Sequence, residues 1–289
     1  MKRKVAVCIS GQFRFYQKSI DSIMKFLIEP YDADVFCCFS KETRNVSKPP
    51  IKAEKEIENT IKDYFKDRLK AFKVCVDEEF EKREAGFAQD YLNWLEIYHK
   101  KRNIHPRNRK MELSANLKYQ YELENYIKYD IVINVRPSLL LSEEYKIDFD
   151  IKEGVVCVAG KYYNDIPRVW DGIWYAKSDT FSYAASDMMG SFPSMNGIKE
   201  CAETLFKKLK LKYFIFSPEH VLLYNWVVRK DLKLKMLPLP LRYIHPDGQT
   251  MTFDYHRLKP IENKIATSLP HGFVLPKKYR NEELLHLYK

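Results

Sequence analysis

Four short stretches of this chain hold residue types that can bind an anion or move a proton. The first is Ser10-Gly11-Gln12, with Arg14 just beyond, directly after the apolar run Val5 to Ile9. A glycine at such a turn lets a ligand approach the backbone, while the glutamine and arginine supply hydrogen-bond donors. The second is Arg136-Pro137-Ser138, where a proline breaks the run Ile131 to Val135. An arginine and a hydroxyl delivered at the end of a buried strand suit a bound anion; an ordinary proline exit from a strand has the same letters. The third is Trp170-Asp171-Gly172-Ile173-Trp174. Two aromatic rings beside a carboxylate suit a sugar ring, which can stack its C–H groups on the rings and hydrogen-bond the acid. Interior aromatics around an Asp171 turn fit the same segment. The fourth is Ser217-Pro218-Glu219-His220, which opens a helix with a capping serine, a proline at the first helical position and an acid in the first turn. Capping and the helix dipole account for Glu219 without chemistry, so it stands second to Asp171 as a candidate general base.

The elements that must position these residues follow from hydropathy patterning. Val5 to Ile9 and Asp34 to Phe39 are short continuous apolar runs of the kind buried on both faces of a parallel sheet. Between them Ile20, Ile23, Met24 and Leu27 mark one face of a helix that Pro30 ends, giving a β-α-β unit. Ser40 to Pro50 reads as a loop. Ile57, Ile61, Tyr64 and Phe65 predict a second helix, and Phe72 to Val76 a third strand. Residues 77–110 read as a helical insertion followed by an exposed basic loop carrying Lys100, Arg102, Arg107 and Arg109, either a phosphate or acceptor contact or a solvated surface. Leu113, Leu117 and Tyr121 predict a helix leading into the strand at Ile131 to Val135. Val155 to Ala159 and Ile173 to Ala176 are strand-like, with Lys161, Arg168, Trp170 and Asp171 on a loop between them. Beyond Val228 the chain turns basic and proline-rich, with short strands and with His245, His256 and Arg257 able to lie across an anion. The expected organisation is an α/β domain over residues 1–230 with a Rossmann-like, mostly parallel central sheet flanked by helices, and a C-terminal extension, 231–289, packed on the same domain.

Composition narrows the function classes. With 289 residues and 45% hydrophobic content the chain can bury a substantial core, and its net charge of +10 implies an anionic partner. The six cysteines show no C-x-x-C spacing and read as buried thiols of a reducing compartment, neither a disulfide framework nor a zinc site. No apolar run reaches membrane-spanning length and the N-terminal one is too short for a signal peptide, so a cytoplasmic protein without a membrane span is expected. There is no G-x-G-x-x-G and no G-x-x-x-x-G-K-[ST], which argues against dinucleotide oxidoreductases and P-loop ATPases.

Four separated stretches, VAVCISGQFR, DVFCCFS, SANLKYQYELENYIKYDIVINVRPSLLL and WDGIWYAKSDTF followed by FSPEHVLL, together resemble small glycosyltransferases of the GT-A type, including those of bacterial polysaccharide clusters and of large DNA viruses such as the chloroviruses. The resemblance spans roughly residues 4–228 and lies in order and spacing more than in any one motif. It implies transfer of a sugar from a nucleotide donor, UDP-linked and with UDP-xylose among the donors, to a glycan hydroxyl, in the host cytoplasm for a viral chain. Ser10, Gly11, Gln12, Arg14, Arg136 and Ser138 would then contact the donor. Asp171 and Glu219 would be the catalytic carboxylates, with Trp170, Trp174 and His220 facing the acceptor. Relatives commonly carry Arg-x-Asp at the strand end, the acid holding a divalent metal. Ser138 stands in that place and is a poor ligand for a hard cation, so dependence on Mn2+ or Mg2+ is not expected. Two rival readings use the same charge: a non-catalytic nucleic-acid-binding protein, and a nucleotidyltransferase on a similar sheet. The aromatics do not interleave with the basic residues as a nucleic-acid stacking platform would, and paired metal-binding carboxylates for the second rival are not evident.

Overall fold

The computed structural model describes residues 3–13, 16–45, 48–52, 54–76, 104–143, 145–163, 166–188, 204, 218–237, 241–244 and 250–253. Its centre is a seven-stranded sheet. In chain order the strands are β1 (Val5–Gly11), β2 (Asp34–Ser40), β5 (Leu69–Cys75), β6 (Ile131–Val135), β8 (Val155–Tyr163), β9 (Ile166–Ala176) and β10 (Lys233–Leu237), and in space they run β10-β8-β9-β6-β1-β2-β5. All but β9 point the same way, and β9 pairs antiparallel with both β6 and β8. The expected mostly parallel α/β sheet is therefore present, and β10 shows that the chain beyond residue 230 contributes a strand to it.

β1 and β6 are buried on both faces, as their unbroken apolar runs predict. One face packs on α1 (Tyr16–Ile23), continued by a wider turn over Met24–Ile28, and on α2 (Glu54–Phe65). Ile20, Ile23 and Leu27 lie fully buried there, each contributing about 1.5–3 kcal/mol by the usual transfer scale. The other face packs on α3 (Ile104–Glu124), α4 (Ser178–Ala185) and α5 (Pro218–Leu223), with Trp174, Phe181 and Trp226 at its centre.

Three expectations are corrected. Ser40 to Pro50 is not a plain loop but carries a hairpin of β3 (Glu42–Asn45) and β4 (Lys48–Lys52). The segment with Lys161, Arg168, Trp170 and Asp171 is the body of the β8–β9 hairpin rather than a loop between strands. Ile104 to Lys110, the second half of the expected basic loop, forms the first turns of α3, while residues 77–103 lie outside the described set. Pro106 is tolerated within that first turn because the amide it lacks would have no intrahelical partner.

A small second sheet closes the exit of β6. There β7 (Leu139–Leu140) pairs antiparallel with β11 (Leu241–Ile244), which pairs with β12 (Thr250–Phe253). Among the described residues no helix is long and apolar enough to cross a membrane.

Candidate functional site

The chain order of the strands reverses between β1 and β6: β2 and β5 lie to one side of β1, while β6 and the strands after it lie on the other. In an open α/β sheet a crevice forms at such a reversal, outside the carboxyl ends of the strands. Both polar turns singled out from the sequence sit there. Gly11 ends β1 with φ +141, a region open mainly to glycine, and a Cβ on it would come within 3.3 Å of the Pro137 ring. The two turns are thus packed backbone against ring. Phe13 anchors the first, stacked on Tyr16 at 4.2 Å and against Phe39 at 4.7 Å. The second is tied down by the Ser19 hydroxyl donating to the Pro137 carbonyl, and by the Ile244 amide donating to the Ser138 carbonyl at 2.9 Å. Ser138 itself is buried.

Asp171 reaches this edge because β9 bulges. Val158 pairs with Trp174 and Gly160 with Val169, so residues 170–173 of β9 stand opposite Ala159 alone. The displaced segment is held by the Arg136 amide donating to the Gly172 carbonyl at 2.9 Å. Residue 172 must be glycine, since a Cβ would fall 1.9 Å from the Trp170 ring laid across it. Asp171 is 0% exposed and lies between two guanidinium groups, Arg107 of α3 in direct contact with Oδ2 and Arg136 at 3.5 Å from Oδ1. Arg107 also donates to the Asp171 backbone carbonyl at 2.8 Å. Both carboxylate oxygens are met as ion pairs rather than by hydrogen bonds of regular geometry.

The aromatic expectation is corrected here. Trp174 is 0% exposed, stacked on Phe181 at 4.4 Å and tilted against Trp226 at 5.0 Å, and Trp170 is buried over Gly172. Neither ring presents an open face to a sugar. The two tryptophans flank Asp171 in sequence, and they serve to fill the interior around the bulge.

At this edge Asn134 and Lys110 were not singled out from sequence, whereas Gln12 and Trp174 were. Asn134 of β6, 1% exposed, accepts a hydrogen bond from the Ser10 hydroxyl at 3.2 Å through Oδ1, while its Nδ2 has no partner. The Gln12 side-chain amide is buried with neither its oxygen nor its nitrogen bonded, and the Trp174 indole nitrogen is unbonded too. A buried donor left this way costs about 1–3 kcal/mol, so such a concentration is expected where a ligand or water completes the bonds. From α3, buried Lys110 donates to the Ser40 hydroxyl at 2.6 Å, and Asn108 and Ser114 are buried on the same helix. The visible signal was a lone asparagine inside the β-branched run of β6. Arg107 stood in a basic run that reads either as a phosphate or acceptor contact or as solvated surface, and for Lys110 no signal was available, because such a run does not show its tertiary partners.

Of the remaining expected residues, Arg14 lies outside the described residues. Glu219 and His220 occupy the first turn of α5, whose body packs on the β9 face of the sheet, and their side chains lie outside the described set. His245, His256 and Arg257 also lie outside it. Among the described residues no cluster of three or more His, Cys, Asp or Glu could hold a metal. The five described cysteines are buried, and burial pushes the Cys8 thiol up to about 12. No protein-family model matches the chain, and no curated protein matches it.

Proposed function

We propose that the protein is a glycosyltransferase with a GT-A-like fold, moving a sugar from a UDP-linked donor to a glycan hydroxyl. The observation that carries this reading is the set of polar groups where the strand order reverses between β1 and β6. There Gln12 and Asn134 hold unmade hydrogen bonds near Arg136 and Arg107. Amide donors next to guanidiniums that meet a diphosphate are what a nucleotide-sugar donor needs.

In transfer, the acceptor hydroxyl attacks the anomeric carbon as the bond to the diphosphate oxygen breaks, and a carboxylate takes the hydroxyl proton. Charge appearing on the leaving diphosphate is met by Arg136, Arg107 and backbone amides already fixed in place. Asp171, buried and paired with both guanidiniums, is suited to aiming them and is closed to an acceptor hydroxyl. The base role therefore passes to Glu219, the second acid candidate, at the start of α5.

Calorimetry with UDP, UDP-xylose and other UDP-sugars tests the reading, with saturable binding expected and retained in EDTA because Ser138 stands where a metal-binding acid would be. Tight duplex DNA or RNA binding without nucleotide binding would replace this reading with the nucleic-acid one. Activity lost to EDTA and restored by Mn2+ would show that a carboxylate set outside the described residues binds metal.

A further inference from the structure

Building on the nucleotide-sugar reading, we propose that Asn134, through its free Nδ2, is a donor to the diphosphate of the bound nucleotide, with Ser10 bonded to its Oδ1. β6 brings Asn134 and Arg136 to the same side of the strand, since side chains two apart in a strand share a face. Arg136 continues that alternation into the crevice, where it is ion-paired with Asp171. Asn134 is flanked in register by Cys8 of β1 on one side and Trp174 of β9 on the other, so it stands at the line where the strand order reverses. The Ser10 hydroxyl donates to Oδ1 at 3.2 Å, and the –NH2 end is left as the group on offer. The neighbouring guanidiniums, held by Asp171, favour an oxygen-rich, negatively charged ligand. Trp174 adds a second unbonded N–H on the same face, and Arg107 and Arg136 add positive charge. A buried side chain serving the core alone would have its donors bonded; this one keeps a donor in reserve next to two guanidiniums.

The test uses the full chain with two probes, UDP and uridine, in wild type and in the double variant S10A/N134L. Removing Ser10's hydroxyl together with the amide takes out both members of the pair and the unbonded donor at once. The melting temperature should therefore hold or rise, because matched apolar replacement of a polar pair is close to neutral. UDP affinity should fall tenfold or more, equivalent to about 1.4 kcal/mol, and uridine affinity should not change. N134D is the second variant, in case the double variant folds poorly. It preserves shape but turns the donor end into an acceptor, and it should weaken UDP by more than tenfold while sparing uridine. Unchanged UDP affinity in both variants overturns the proposal and assigns the donor to an internal water. Equal losses for UDP and uridine also overturn it, moving the contact to the nucleoside. A wild type that binds no nucleotide or nucleotide sugar at all is a different result, since it removes the donor reading on which the proposal rests.

Discussion

The two halves of α3 make opposite use of buried charge. In its carboxyl-terminal half Lys118 is fully buried and completely answered. It donates to Glu122 at 2.9 Å, to Ser178 at 2.7 Å and to Ser182 at 2.8 Å, while Glu122 also accepts from Ser178 at 2.6 Å and from the Tyr129 amide at 2.9 Å. That network joins α3, α4 and the start of β6 with every strong group in use. In the amino-terminal half Arg107 shares Asp171 with Arg136, and the strand ends beneath carry amide groups with bonds unmade. The same helix thus presents a closed polar network over the amino ends of the strands and an incomplete one over their carboxyl ends. Completeness, rather than burial or charge, separates the structural polar cluster from the candidate site.

The contrast is broken most severely by Lys118→Ala, which strands the Glu122 carboxylate in the interior and should cost about 3–5 kcal/mol in chemical denaturation. Nucleotide affinity of the folded fraction should stay at the wild-type level; a selective loss of UDP binding with stability intact would mean the two halves had been assigned the wrong way round. Next in size, Asp171→Asn should lower transfer by about 10², the scale for a disabled catalytic group, and UDP affinity should fall along with it because the two arginines lose their shared anchor. Were donor affinity preserved while transfer collapsed, Asp171 would be the base after all. Glu219→Gln supplies the complementary reading: transfer down by about 10² with stability altered by no more than about 1 kcal/mol.

Gly172→Ala probes the bulge that brings Asp171 to the edge. The added methyl meets the Trp170 ring, so a loss of about 1–3 kcal/mol is expected by thermal melting, the range for overpacking. The smallest effect belongs to the far end of α3. Tyr126 takes the left-handed position that closes the helix, at φ 52, with the Ile127 amide bonded back to the Glu122 carbonyl at 3.1 Å and its own side chain 96% exposed. Glycine is preferred there, so Tyr126→Gly should raise stability by up to about 1 kcal/mol and leave binding alone.

Where sequence reading succeeded and failed follows the same division. β1, β2, β6, α1 and α2 were legible because their apolar residues recur at the period of their own element and face an apolar core. The carboxyl edge was legible in part: Ser10, Gly11, Gln12, Arg136 and Asp171 do converge there. Besides the β3–β4 hairpin, the misread segments were the first turns of α3 and the 170–173 bulge. In both, polar residues are buried against other polar residues, so the periodicity that marks an element is absent and the letters read as loop. The tryptophans erred in the other direction, because a pair of rings beside an acid looks the same whether it faces a ligand or the interior. Local rules fail at the places where a chain departs from core-building, and those places border the crevice.

The pairing of Leu139 and Leu140 with Tyr243 and Arg242 sets a schedule as well as a shape. The turn Arg136 to Ser138 leaves the ribosome well before the strand that clamps it, about a hundred residues later, or some 5–20 s at ordinary rates of synthesis. During that interval β1, β2, β5 and β6 are all available to pair, yet the exit of β6 has no partner on its outer side. The nascent chain therefore holds the central strands of the sheet before the turn at their carboxyl edge is clamped, and that edge is completed late in translation, with the strand from Leu241 to Ile244.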